Sequence, residues 1–271
     1  MKKIIVLICT VLLVACQRNE PITNPDPVDD EFLFYAGILN EYVLTNEIFQ
    51  DLVNNTGNAI LIAEGALTGK TNNSKSTPTI TVEPFDFETF PKTITVNYGS
   101  GTLCEDGIIR SGVIVIESTG WFWEQGSKQT ISFNNYFHDI FKVEGKQVIE
   151  NFGQNQNGFI EFRVIVEDGL VEFDNGISIT FNEDSIRTWI AGYGTSSNIW
   201  DDEYLLDTYQ FGVSSNGTNY LLVFDEPLHY VLAPRAIKSG IVNLQIGSVS
   251  NIEINYSNGT YTILGITKSW N

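Results

Sequence analysis

EFRVIVEDGLVEFDNGISIT, residues 161–180, decides the fold. Val, Ile, Thr and Phe fill short runs, and Asp168-Gly169 and Asn175-Gly176 punctuate them. Such side chains suit a pleated, half-buried strand. Asp-Gly and Asn-Gly accept the positive φ angles that tight hairpin turns require. The same grammar runs from Ile80 to the C-terminus. Gly99-Ser100-Gly101, Asp106-Gly107, Gly126-Ser127 and Glu144-Gly145 come before this stretch, and Asn216-Gly217 and Asn258-Gly259 after it. Read as turns, they predict roughly twelve strands in about 190 residues. No long helical period interrupts them. The expected fold class is mainly β: residues 80–271 form a long antiparallel meander sheet, extended, curved or sandwich-like. Ile108–Trp123 reads as one long strand bent at Gly112 or Gly120.

Upstream the period changes. Phe32, Tyr35, Ala36, Leu39, Tyr42, Val43, Phe49 and Val53 recur at three, four and seven. Glu31, Glu41, Glu47 and Asp51 are their polar counterparts. The spacing predicts one N-terminal amphipathic helix, capped by Asp29 or Asp30 and stopped at Asn54-Asn55-Thr56-Gly57. The helical segment is placed at 31–69, its last part open between helix and loop, with a polar spacer at 70–79. A helix of this kind docks on its own sheet or meets a partner or membrane surface. Its polar face lacks the Lys and Arg of interfacial helices, which favours docking.

The first residues, MKKIIVLICTVLLVAC, carry an address. Lys2 and Lys3 precede an uncharged run, Ile4 to Ala15. At ~1.5 Å per residue this run is ~18 Å long, against ~30 Å of hydrocarbon, so 1–15 reads as a signal peptide. Leu13-Val14-Ala15-Cys16 resembles the lipobox of bacterial lipoproteins. The resemblance implies cleavage before Cys16 and acylation of its sulfur and new amine, palmitate among the chains. Several acyl chains hold a protein on a membrane almost permanently. Residues 16–30, with three Pro and an acidic end, suit a tether. The expected location is the outer membrane, on its periplasmic or its surface face.

Composition narrows the function. The chain has 271 residues, 33 Asp+Glu against 15 Lys+Arg, and a formal charge of −18. Removing the signal peptide takes two lysines with it, so the mature body is more acidic still. That charge excludes nucleic acid, whose phosphates need Lys and Arg. It also opposes flat binding to anionic lipid, leaving the lipid anchor as the membrane contact. The three cysteines take separate roles: Cys9 leaves with the signal, Cys16 takes lipid, and Cys104 remains alone as a small buried hydrophobe.

Thr93-Ile94-Thr95-Val96-Asn97-Tyr98-Gly99 leads into Cys104-Glu105-Asp106-Gly107 and Arg110-Ser111-Gly112-Val113-Ile114. Ser132-Phe133-Asn134-Asn135-Tyr136 and Lys142-Val143-Glu144-Gly145 follow. The series resembles a family of Bacteroidota lipoproteins of unknown activity, over residues 30–265. The resemblance implies an envelope lipoprotein with a strand-rich body. Family members often carry Arg after the Asp-Gly, where this chain has Ile108. They also tend to carry cysteines near the stretch occupied here by Arg235 to Gly240.

No Walker loop, zincin motif or nucleophile elbow is present. His138 and His229 read as surface or edge residues. Asp201-Asp202-Glu203 and Asp29-Asp30-Glu31 lack Ca²⁺-loop spacing. No catalytic residue, metal site or cofactor is therefore assigned. Trp121-Phe122-Trp123, taken as strand, puts two indoles on one face, where they either join the core or meet a ligand. Trp200, in a Gly/Ser/Asn-rich loop, is a second ligand candidate. Asp184-Ser185-Ile186 resembles the O-glycosylation sequon of exported Bacteroidota proteins, with Ser185 as acceptor; the alternative is a plain turn. The reading is a non-enzymatic binding or envelope-structural module, whose partner is a glycan or another envelope protein. Two alternatives stay open: a surface glycan-binding lipoprotein using an aromatic patch, and a carboxylate-dependent hydrolase.

Overall fold

A computed structural model describes residues 27–67, 78–104, 106–192, 195 and 198–270. The signal peptide, Cys16, the tether up to residue 26 and most of the spacer lie outside them. One helix precedes thirteen strands. Helix α1 spans Pro27–Leu67. The strands are β1 (Thr79–Glu83), β2 (Lys92–Leu103), β3 (Ile109–Ser118), β4 (Lys128–His138) and β5 (Phe141–Gln154). They continue as β6 (Ile160–Glu172), β7 (Ser178–Ala191), β8 (Glu203–Val213) and β9 (Asn219–Leu232). The last are β10 (Arg235–Ile246), β11 (Val249–Asn255), β12 (Thr260–Ile263) and β13 (Ile266–Ser269). Each strand pairs antiparallel with the next, so sheet order is chain order, and the sheet is not closed. The protein is mainly β with one N-terminal helix, as its turn grammar predicts.

Several punctuation marks change meaning. Asp106-Gly107, Asn175-Gly176 and Asn216-Gly217 do close hairpins: Gly176 N donates to Phe173 O at 3.0 Å, and Gly217 N to Ser214 O at 2.9 Å. Asp168-Gly169 lies inside β6, Glu144-Gly145 inside β5 and Gly99-Ser100-Gly101 inside β2. There the register slips, and Asp168, Gly145 and Gly99 take positive φ. These are β-bulges, in which an unpaired residue bends the strand. The long strand Ile108–Trp123 is not observed. β3 ends at Ser118, and Trp121, Phe122 and Trp123 form the β3–β4 turn, where Glu124 N donates to Trp121 O at 2.9 Å. The bend at Gly112 is present (φ 81°).

The helix also departs from expectation. It runs through Asn54–Gly57 to Leu67, because tertiary partners occupy the polar groups that would have stopped it. Asn54 Oδ1 accepts from Arg187 Nη1 at 2.9 Å instead of capping. The helix is two-faced only at its start, where Phe32, Leu39 and Tyr42 are buried and Glu31 and Asn40 exposed; from Thr45 to Leu61 only Glu47 is exposed. Ile48, Phe49, Leu52 and Ile60 pack into the core, and Thr45, Asn46, Gln50 and Asp51 are buried too. A helix covered all round lies within a fold rather than on its surface. Strands as distant as β3, β7, β8 and β10 all reach it.

Buried polar groups on α1 require partners, since each unpaired one costs about 1–3 kcal/mol. Asn46 Nδ2 donates to Tyr230 Oη (3.3 Å) and Tyr42 Oη to Gln210 Oε1 (3.0 Å). Gln50 Nε2 donates to Glu183 Oε1 (3.1 Å), and its Oε1 accepts from Arg187. The Arg187 guanidinium lies 4.7 Å over the Tyr204 ring. Burial raises the Glu183 carboxyl above its ordinary range, with Arg187 opposing.

Candidate functional site

Among the described residues, a void between Val53, Phe122, Phe162, Arg187 and Trp189 holds at most about one water. A cleft lies outside, where the end of α1 meets the β1–β2 loop, Pro84 to Pro91. Leu67, Phe85, Asp86, Phe87, Glu88 and Thr89 line a cleft of about 380 Å³. Small-molecule sites span ~300–1,000 Å³.

Two features make this cleft unusual. Phe85 is 68 % exposed and Phe87 54 %. Moreover, the loop has little freedom to fold them away. Lys92, buried at the start of β2, donates to Asp86 O (2.6 Å), Pro84 O (3.2 Å) and Asp86 Oδ1 (3.4 Å). Asp86 Oδ1 also accepts from Thr89 N (2.7 Å) and Glu88 N (3.0 Å). These donors, Thr89 N above all, hold the Asp86 carboxyl down at about 2. The rings are thus presented on a fixed support, which lowers the ordering cost of binding.

Trp121 completes the ledge, with ring centroids 6.5 Å from Phe87 and 5.4 Å from Phe90. Trp123 does not share its face, because the segment is a turn. Its indole meets Phe122, Phe162 and Trp189 at 5.1, 5.7 and 6.0 Å and belongs to an internal aromatic stack. Phe122 itself is buried. Trp200 packs partly buried against the core, its amide bonded to Asn198 Oδ1. Ser185 is not in a turn: it sits mid-β7, 1 % exposed, its hydroxyl donating to Val164 O at 3.4 Å. The folded chain presents that hydroxyl to no glycosylating enzyme. Cys104 is half-buried, packed against the core.

The acidic triplet does not converge. Asp201 accepts from Thr195 and Asn198, while Glu203 pairs with Lys238 (2.8 Å) and His229 (2.6 Å). Asp202 is buried, and burial raises its carboxyl to about 7 against a Trp189 hydrogen bond. His138 is no surface residue: it is 8 % exposed and its Nε2 lies 3.1 Å from Asp51 Oδ2.

Phe85 and Phe87 are the candidate residues that sequence reasoning missed. The signal was available: PFDFETFP, residues 84–91, alternates rings with acids between two prolines. That run can neither pair as a central strand nor bury its rings on one helix face. Comparison with protein-family models, curated proteins and solved structures found no match. Among the described residues, no helix is long and apolar enough to cross a membrane.

Proposed function

We propose that this chain is a lipid-anchored envelope protein whose body is a non-catalytic binding module, with the Phe85–Phe87–Trp121 ledge as its recognition surface. The observation that carries the reading is the pair of phenyl rings held in water by a loop fixed around Lys92. The lipobox at Cys16 supports the anchor, and Pro21 and Pro25 the tether.

Two measurements test this. Acyl labelling is expected to disappear in Cys16→Ala; continued labelling overturns the anchor site. Pull-down from envelope fractions with the anchored chain is expected to retain a ligand that Phe85→Ala/Phe87→Ala loses, with the melting temperature unchanged. Equal retention by both proteins overturns the ledge. Protease shaving of whole cells then decides which face of the membrane carries the protein.

A further inference from the structure

We propose that the first turns of α1 lie against the bilayer that carries the lipid anchor, with Leu33 and Phe34 in its interfacial layer, an inference that rests on Cys16 being acylated. Leu33 is 65 % exposed and Phe34 47 %, and Gly37 is exposed with them. Residues three and four apart are neighbours on a helix, so the three form one patch. The last strand ends beside this turn. The ring centroids of Phe32 and Tyr261 lie 6.4 Å apart, and Tyr261 stacks on Trp270 at 6.5 Å. Lys268 Nζ lies 4.4 Å over the Phe32 ring, and Trp270 is exposed. Tryptophan gathers at the headgroup level of membranes, and lysine reaches water and phosphate from beside an apolar surface.

The chain between anchor and helix says what covers the patch. Cys16 to Pro27 is eleven residue steps, at most ~40 Å when fully extended, so an anchored chain keeps Leu33 and Phe34 close to the lipid. At that range a weak contact is occupied, because binding within a linked pair is intramolecular. Two side chains would not hold a free protein on a bilayer, where even one myristoyl chain is marginal, but they orient one already held. Residues 17–26 offer a single apolar aliphatic side chain besides proline, Ile22, too little to cover both. Charge selects the lipid. Asp30 and Glu31 are exposed at the same end, and α1 has no Lys or Arg, so the contact suits a zwitterionic surface and not an anionic one. Leu67, which lines the aromatic cleft, lies ~50 Å of helix beyond Phe34. Resting on its helix start, the protein holds that cleft away from the membrane.

The full acylated chain is reconstituted in phosphatidylcholine vesicles. Cys104→Ser removes the native thiol, and Gly37→Cys supplies a labelling site, since a Cβ there meets nothing within 4 Å. Spin-labelled lipid should quench a fluorophore on Gly37→Cys at least twofold more than the same fluorophore on Glu88→Cys, at the far end of α1. Adding Leu33→Gln/Phe34→Gln should remove the difference, with acylation and melting temperature unchanged. Equal quenching at both positions, or indifference to the double substitution, overturns the proposal. So does a Gly37→Cys fluorophore shielded from dissolved iodide yet out of reach of the lipid quencher, since protein then covers the patch. The two readings fail separately. If Cys16 carries no acyl chain, the anchor falls and this contact with it. If Cys16 is acylated and the Gly37→Cys fluorophore stays in water, only the contact falls.

Discussion

The Asp51 carboxylate and the Arg110 guanidinium meet at 2.5 Å in the interior, with 6 % and none of their side chains exposed. Asp51 also takes His138 Nε2 on the same oxygen and Arg235 Nη1 on the other, at 3.1 and 3.3 Å. Burial alone would raise this carboxyl; the His138 hydrogen bond and the Arg110 charge outweigh it and hold it down. One helix residue thus joins β3, β4 and β10 of an open sheet. Asp51→Asn should lower stability by ~1.5–3 kcal/mol, because Arg110 loses one of its two carboxylate partners and keeps Asp106 at 2.6 Å. Arg235→Gln, whose parent side chain is 39 % exposed, should change it by less than ~1 kcal/mol. Urea unfolding of both variants checks the contrast, and similar losses would contradict it.

Stability should peak on the acid side of neutrality. Asp51 and Asp86 sit below their ordinary range, so the stability they add is present above about pH 4 and is lost as pH falls through their folded values. Glu64 and Asp202 are raised by burial to about 7, so the folded state holds more protons than the unfolded between roughly pH 4.5 and 7. Their contribution is therefore lost as pH rises across that window. Glu64→Gln/Asp202→Asn should flatten the decline. Melting temperatures at unit steps from pH 3 to 8 test this, and identical slopes for both proteins would refute it.

Gln147 is fully buried in β5, and neither end of its amide has a hydrogen-bond partner among the described residues. An unpaired buried amide costs about 1–3 kcal/mol. Gln147→Leu should hold or raise the melting temperature, and a loss above ~1 kcal/mol would contradict this account.

Gly112→Ala should be far more damaging than the ~1 kcal/mol of an average substitution. Its φ is +81°, and a Cβ there would sit 1.9 Å from the Asn135 carbonyl oxygen. Gly126→Ala is the control, since its φ is similarly positive but nothing lies within 4 Å. Soluble yield and circular dichroism of the two variants separate strain from collision.

Local chemistry made the strands legible but not their irregularities. Asn216-Gly217 closes a hairpin and Asp168-Gly169 forms a bulge, yet both provide positive φ. What distinguishes them is which strand lies opposite, and that is set across the sheet. The helix misled for the same reason. Asp51 reads as a solvated face only while Arg110, His138 and Arg235 are out of view. At the ledge, Trp121 was legible as a candidate because it is rare and conspicuous. Phe85 was not, because a phenylalanine among strands is ordinarily core. Its exposure depends on Lys92 fixing the loop, which composition does not reveal.

The covering of α1 has a consequence for the order in which the chain is made. The helix emerges first, yet its interior side chains wait for residues far downstream. Gln50 waits 137 positions for Arg187, Asn46 184 for Tyr230, and Asp51 184 for Arg235. Contacts between successive strands form early and locally, while those that enclose the helix come last. Until β10 has been synthesised, Phe49, Leu52 and Ile60 lack their full shelter, and the chain remains open to aggregation. The final third of this protein is thus the cover for its beginning, and a chain cut short of β10 would leave its helix exposed.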